Sequence, residues 1–219
     1  MKLWLVRHGQ TDGNQSNRMQ GRGSNLPLNE AGMQQAMAVC SWFTKNGIRF
    51  DRVYASPLAR AVQTAEIISG TDSGIVTDER LLEMDYGPYE GMDLRHPAPE
   101  VMAFFSDFVH NPAPEGMEPL ADVVKRAGSF LETIRTETNR TETIRTETIR
   151  TEITPCEKTE ETNILICTHA IAMKGALEYL TPASGGSYWG KYIGNCAVYA
   201  FELKDGRYSV PEEMEIRNG

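Results

Sequence analysis

The sequence predicts an α/β protein with a layered sheet. Three observations carry that prediction. Short continuous apolar runs, "LWLV" at Leu3–Val6 and "ILIC" at Ile164–Cys167, are too short for buried helices and read as buried strands. Segments with apolar residues three and four apart lie between such runs. Strand-type and helix-type patterns therefore alternate, which is the signature of a sheet layered with helices.

In chain order, "LWLV" is the first strand, and it ends abruptly in Arg7-His8-Gly9. The stretch "NEAGMQQAMAVCSWFTKNG" follows as a helix, with Ala36, Met37, Cys40 and Phe43 at helical spacing and Asn46-Gly47 as its stop. "FDRVYAS" is a second strand. Pro57 opens the next helix, with Ser56 in the N-cap place. "GIVTDERLLEMDYG" reads as strand plus loop, "NILICTH" as another strand, and "IAMKGALEYL" as its following helix. "NCAVYAFEL" and "RYSVPEE" close the chain as a strand pair joined by Asp205-Gly206, a hairpin signal.

Two stretches break the pattern. Residues 87–119 hold six prolines and several aromatics, and read as a lid-like insertion with one short helix near Pro99–Val109. Residues 133–152 repeat a five-residue Thr-Glu-Arg unit, a period that matches no standard solenoid. Upstream of it Leu120, Val123, Val124, Ala127, Phe130, Leu131 and Ile134 form one helical stripe, which is expected to end at Ile134 where the repeat becomes polar. The repeat is read as an insert that projects as a charged helix or frays. The 219 residues, 40% hydrophobic, fit a single domain carrying these two insertions.

Composition excludes several function classes. A formal net charge of -8 argues against nucleic acid or an anionic membrane as partner. No apolar stretch approaches the ~20 residues of a membrane helix, and the N-terminal apolar run is too short for a signal peptide core, so a cytoplasmic location is expected. Cys40, Cys156, Cys167 and Cys196 are far apart and form no zinc or thioredoxin spacing.

Chemistry concentrates at predicted strand ends, where open α/β sheets place their sites. Arg7 and His8 end the first strand, Arg60 lies one turn into the helix after the second, His169 ends "ILICT", and Glu83 sits in the loop "LLEMDYG". Two arginines match phosphate oxygens with planar, permanently charged donors. A neutral imidazole is a competent nucleophile near pH 7, and a carboxylic acid can protonate a leaving alkoxide. Each of these residues alone has an ordinary structural explanation; their joint occurrence points to phosphoryl transfer.

The blocks "LVRHGQTDGN" with "NRMQG", "YASPLARAVQTA", "LLEMDYGPYEG", "PEGMEPLADVVKR" and "ILICTHA" resemble, in order, those of the histidine phosphatase superfamily, also called phosphoglycerate mutase-like. The resemblance implies a three-layer α/β/α fold around a mostly parallel mixed sheet, a phosphohistidine intermediate, no metal and no cofactor. It implies His8 as nucleophile, Arg7, Arg60 and His169 as the phosphate pocket, and Glu83 as proton donor. Asn14, Gln20, Gly21, Tyr86 and Ala170 fall on the substrate side. The chain departs from the pattern at Ala170, where the family usually has Gly, and in Gly-Met-Glu at 116–118 where it has Gly-Glu-Ser. Within 87–119 Arg95 is the only basic Arg or Lys, and Phe and Met are frequent. Mutases of the family carry more basic residues there, so the reading is a phosphatase acting on a small phosphorylated metabolite. A phosphoglycerate mutase and a non-catalytic phospho-ligand binding module are the alternatives.

Overall fold

The computed structural model describes residues 1–149 and 162–216, the side chains of 139–149 excepted. Seven strands form one sheet in the order β3-β2-β4-β1-β5-β6, with β7 also paired to β5. β1 (Lys2–Arg7), β2 (Arg52–Ala55), β3 (Ile75–Thr77) and β4 (Asn163–Thr168) run parallel. β5 (Val198–Lys204) is antiparallel to β1, and β6 (Arg207–Tyr208) and β7 (Glu212–Glu213) are antiparallel to β5. The sheet is thus mixed, with its parallel part at the strands that carry the motif residues.

Alternation along the central strands feeds two apolar layers. Leu3, Leu5, Ile164 and Ile166 meet Phe130, Leu131 and Ile134 of α5 (Leu120–Ile149) and Met173 and Leu177 of α6 (Ala170–Leu180). Trp4, Val6, Leu165 and Cys167 meet Ala36, Val39 and Phe43 of α2 (Glu30–Lys45) and Ala65 and Ile68 of α3 (Ala59–Ser69). Helices cover both faces, which gives the expected three layers. Both faces of β1 and β4 being buried explains why these strands are continuous apolar runs. Each fully buried Leu, Ile or Phe contributes about 1.5–3 kcal/mol relative to exposure.

The loop after β1 is tied to α2 by backbone contact. A Cβ on Gly9 would lie 2.5 Å from the Gly32 carbonyl oxygen, and one on Gly32 would lie 2.0 Å from that of Gln10. Thr11 then caps a single helical turn, α1 (Asp12–Gln15), through a capping box with Asn14.

Four expectations need correction. The buried face of α2 is Gly32, Ala36, Val39 and Phe43; Met37 is exposed and Cys40 only partly covered, because the helix presents the next position along to the sheet. Ser56 does not cap α3, which begins at Ala59; its hydroxyl is engaged by His169 and the Asn25 side chain accepts the Ala59 N–H instead. The stripe on α5 runs one turn past Ile134, to a buried Thr138 whose hydroxyl is satisfied by the Ile134 carbonyl at 2.8 Å. "RYSVPEE" gives two short strands, not one, with Pro211 between them contributing no N–H to a ladder. The Asp205-Gly206 hairpin forms as expected, with both residues at positive φ. The five-residue repeat is helical as far as Ile149; its remainder lies outside the described residues.

Residues 87–119 contain one short helix, α4 (Pro99–Ser106), slightly shorter than expected. Val101, Phe104 and Met117 from this stretch join Met19, Met84, Tyr86, Val123, Ile171 and Trp189 in a third apolar cluster. That cluster lies beside the chemistry rather than in the sheet core.

Candidate active site

The ends of β1 and β4 are neighbours in register, Arg7 opposite Thr168, so His8 and His169 emerge side by side. Their ring centroids are 5.1 Å apart. His8 Nδ1 lies 2.7 Å from the Gly9 carbonyl oxygen, which fixes its proton on Nδ1 and leaves the Nε2 lone pair free. Burial, with Arg7 and Arg60 adding to it, holds the His8 pKa well below 6.5. The ring is therefore neutral at pH 7.

His169 is likewise held well below 6.5, first by burial and then by Arg60. Its Nδ1 accepts from Arg60 Nε at 3.2 Å, so Nε2 carries the proton and donates to Ser56 Oγ at 2.7 Å. Arg60 is fully buried and donates also to the carbonyls of Ser24 (2.5 Å) and Gly21 (3.1 Å). Arg7 donates to the Ile193 carbonyl at 2.6 Å, while its Nε is buried with no hydrogen-bond partner among the described residues. Glu83 is 4% exposed and accepts backbone N–H groups from Met84, Ile171 and Ala172 at 2.9–3.2 Å, which seats it on the first turn of α6.

A cavity of about 870 Å³ opens over this cluster. Arg7, His8, Glu83, Asn14, Gln20, Tyr86 and Ala170 all line it. Arg60 and His169 do not reach its surface and lie behind His8. Gly21 is not on the wall either; its carbonyl holds Arg60. Gln20 Nε2 is a second buried donor without a partner. Two orphan donors, one from Arg7 and one from Gln20, thus belong to the wall of one cavity, an arrangement that suits an anion. Ala170 is tolerated because it opens α6 with a methyl group only, and the Ile171 and Ala172 amides remain directed at Glu83.

Most of the remaining wall is apolar, with Met19, Met102, Phe105, Phe108, Ile171 and Trp189, though Arg18, Asp107 and Lys191, the last paired with Glu213, also line it. Lys174 lies among them, 8% exposed, donating to the Trp189 carbonyl at 2.6 Å with its ammonium 4.9 Å from the Phe108 ring centre. Burial pushes its pKa down to about 8, against the opposing pull of Glu83. Lys174 and Ser56 do not stand out as site residues in the sequence. A lysine inside the otherwise apolar "IAMKGAL" was the available signal for the first; the second was masked by its fitness as an N-cap. Among the described residues no group of three His, Cys, Asp or Glu side chains is placed to hold a metal ion, and no helix is long and apolar enough to cross a membrane.

The sequence profile of the histidine phosphatase superfamily (branch 1) matches residues 3–213. The chain belongs to the histidine phosphatase superfamily. Among relatives, it is 39% identical over 136 residues to a Xenopus tropicalis protein named fructose-2,6-bisphosphatase TIGAR, covering 59% of this chain and 48% of that one. It is 35% identical over 141 residues to putative phosphoserine phosphatase 2 of Hydrogenobacter thermophilus, covering 62% and 67%. The chain thus matches about half the length of the frog protein. The same fold occurs in the α-ribazole phosphatase of Shigella flexneri, at TM-score 0.76 and 22% identity over 100% of this chain and 98% of that one. It occurs in a mutant phosphoserine phosphatase of Entamoeba histolytica in complex with phosphoserine, at TM-score 0.75 and 23% identity over 99% and 98%. The fold is therefore the phosphoglycerate mutase-like sandwich that the resemblance of the sequence blocks implied.

Proposed function

We propose that this superfamily member is a phosphomonoesterase that acts on a small phosphorylated compound through a phosphohistidine on His8. The observation that carries the reading is the state of His8: neutral, its Nδ1–H held by Gly9, its Nε2 free beside two arginines and facing the cavity that Glu83 also lines. In the first step the Nε2 lone pair forms a bond to phosphorus. The P–O bond to the alcohol breaks, and its electron pair leaves on that oxygen, which takes a proton from Glu83. In the second, the Glu83 carboxylate accepts a proton from water as the water oxygen bonds to phosphorus and the N–P pair returns to Nε2. Arg7 balances charge on the in-flight phosphoryl oxygens from the wall, and Arg60, hydrogen-bonded to His169, adds its positive field from one layer deeper, the work a metal ion does in other phosphotransferases. Asn14, Gln20, Tyr86 and the Ala170 backbone contact the substrate from the wall, and Gly21 acts on it through Arg60.

Names among the relatives, which include phosphatases for phosphoserine and a fructose bisphosphate, support a small phosphorylated substrate. The apolar wall favours a monophosphate with an apolar part over a bisphosphate. The one basic residue of 87–119, Arg95, is paired with Asp93 at 2.6 Å, which weakens the mutase alternative.

The test is phosphate release from a panel of phosphomonoesters in EDTA, with His8→Ala alongside and alkaline-quench mass spectrometry for phosphate on His8. Release that survives EDTA, with a loss of at least about 10⁴-fold in the variant, is expected. Turnover without His8 phosphorylation would refute the mechanism. Phosphate exchange between phosphoglycerates, without net release, would establish the mutase instead.

A further inference from the structure

Glu83 has to lie at one place for proton transfer, yet it stands in a loop between a turn and residues 87–119. The α6 amides seat its carboxylate, the Thr168 hydroxyl holds the Leu81 carbonyl at 2.8 Å, and the backbone on either side of Glu83 is held by a pair of side chains outside the cavity. Arg126, on α5, donates through one guanidinium nitrogen to the carbonyls of Arg80 (2.9 Å) and Leu82 (2.5 Å), the latter immediately before Glu83. Its other nitrogens grip both oxygens of Glu118 at 2.7 and 3.1 Å. Glu118 in turn accepts the Asp85 N–H at 3.1 Å and donates its own backbone N–H to the Asp85 carbonyl at 2.8 Å. The pair is only 14% and 10% exposed. It therefore brackets Glu83 from both sides along the chain, at Leu82 and at Asp85, and anchors the bracket to a long helix of the core.

We infer that Arg126, clamped by Glu118, is a positioning residue for the proton donor: it sets where the Glu83 carboxyl stands and touches no substrate itself. A fork with five fixed donors can serve two carbonyls and a carboxylate at once; a lysine cannot. Neither residue lines the cavity. The inference rests on the proposed role of Glu83 and adds a residue that the motif reading left unused, the glutamate of Gly-Met-Glu with its arginine partner eight positions on.

A proton donor matters in proportion to how poor the leaving group is, and a merely structural residue does not distinguish leaving groups. The experiment compares 4-nitrophenyl phosphate, whose phenolate leaves without help, with 2-phenylethyl phosphate, whose alkoxide needs the proton. The quantity is kcat/KM, which reports the first chemical step and not the shared hydrolysis of phosphohistidine. For Arg126→Met a loss of roughly 30-fold or more on the phenylethyl ester is expected, with less than about threefold on the nitrophenyl ester. Glu83→Gln should show the same skew, and Arg126→Met added to Glu83→Gln should cost nothing further on the alkyl ester. Equal losses on both esters, or full additivity with Glu83→Gln, would overturn the inference. Circular dichroism and a thermal melt accompany each variant. If Arg126→Met does not fold, the same skew is read on Arg126→Lys and Glu118→Gln, and its absence there overturns the inference equally. Wild-type protein inactive on both esters would instead count against the proposed function.

Discussion

The Arg/His cluster at the strand ends and the apolar wall across the cavity are built by opposite rules. In the cluster nearly every polar group is fixed by backbone: His8 by Gly9, Arg7 by Ile193, Arg60 by Gly21 and Ser24, Glu83 by the first turn of α6. In the wall, side chains lean on one another: Phe105 and Phe108 stack edge to face, both against the buried Phe104 behind them, and Trp189 tilts against Phe108 at 6.2 Å. Leu94, Met102, Val109 and Tyr192 of the wall are exposed. Backbone-held groups give a reaction little freedom. Side-chain-held walls can change content without moving the cluster, so under the proposed function chemistry belongs to the first region and selectivity to the second.

The comparison breaks most visibly at Arg60. Arg60→Lys should lower kcat/KM by roughly 10²-fold or more, because a lysine cannot hold His169 and two carbonyls in the fixed fork that supports the cluster around His8. Its melting temperature should fall as well, since two buried carbonyls lose their donor. A variant with near wild-type rate would show that the cluster is not held in the way described.

The next test is pH. An ordinary imidazole, with a pKa near 6.5, is mostly protonated at pH 5.5 and would lose about tenfold in nucleophilic form. His8 is held well below 6.5, so kcat/KM on an aryl phosphate should stay flat through pH 6.5 and fall only at lower pH. Stability falls in the same direction but starts at higher pH. The unfolded chain takes up protons on these histidines below pH 6.5 and the folded chain refuses them, so the melting temperature should drop as pH falls from 6.5 to 5.5. An acidic limb of the rate profile at or above 6.5 would contradict the buried, neutral His8.

The smallest effect belongs to the wall. Phe108→Ala should raise KM for an ester with an apolar alcohol about fivefold, leave kcat within about twofold, and leave KM for a polar ester nearly unchanged. A fall in kcat as deep as that of Arg60→Lys would erase the distinction between the two regions.

The same distinction explains what could be read from the sequence. Arg7-His8-Gly9, Arg60 and His169 are legible because strand ends are set by short-range apolar pattern, and few residue types can do that chemistry. The layered α/β class follows from the alternation of strand-type and helix-type patterns; the order of the strands in the sheet does not, because it is set by contacts between distant segments. The wall is not legible in this way: Met19, Phe108, Ile171 and Trp189 come from distant segments, and nothing local announces that they meet. Ser56 was misread because a serine before Pro57 satisfies every local rule for a cap, and only the tertiary approach of His169 redirects its hydroxyl. The face of α2 was misread for a related reason. Met37 and Cys40 fit the helical period as well as Val39 does, and the sheet chose between them.

Gly9 and Gly32 carry one more consequence. Where two side chains touch, a mutation that enlarges one can be answered by shrinking the other. Here main chain meets main chain, and neither partner has anything left to shrink. The pair offers no reciprocal route through sequence space: any replacement at one position displaces the loop that carries His8, and no replacement at the other restores it. A saturation scan scored on activity should therefore rank these two glycines with the reacting residues, though neither donates, accepts or attacks anything.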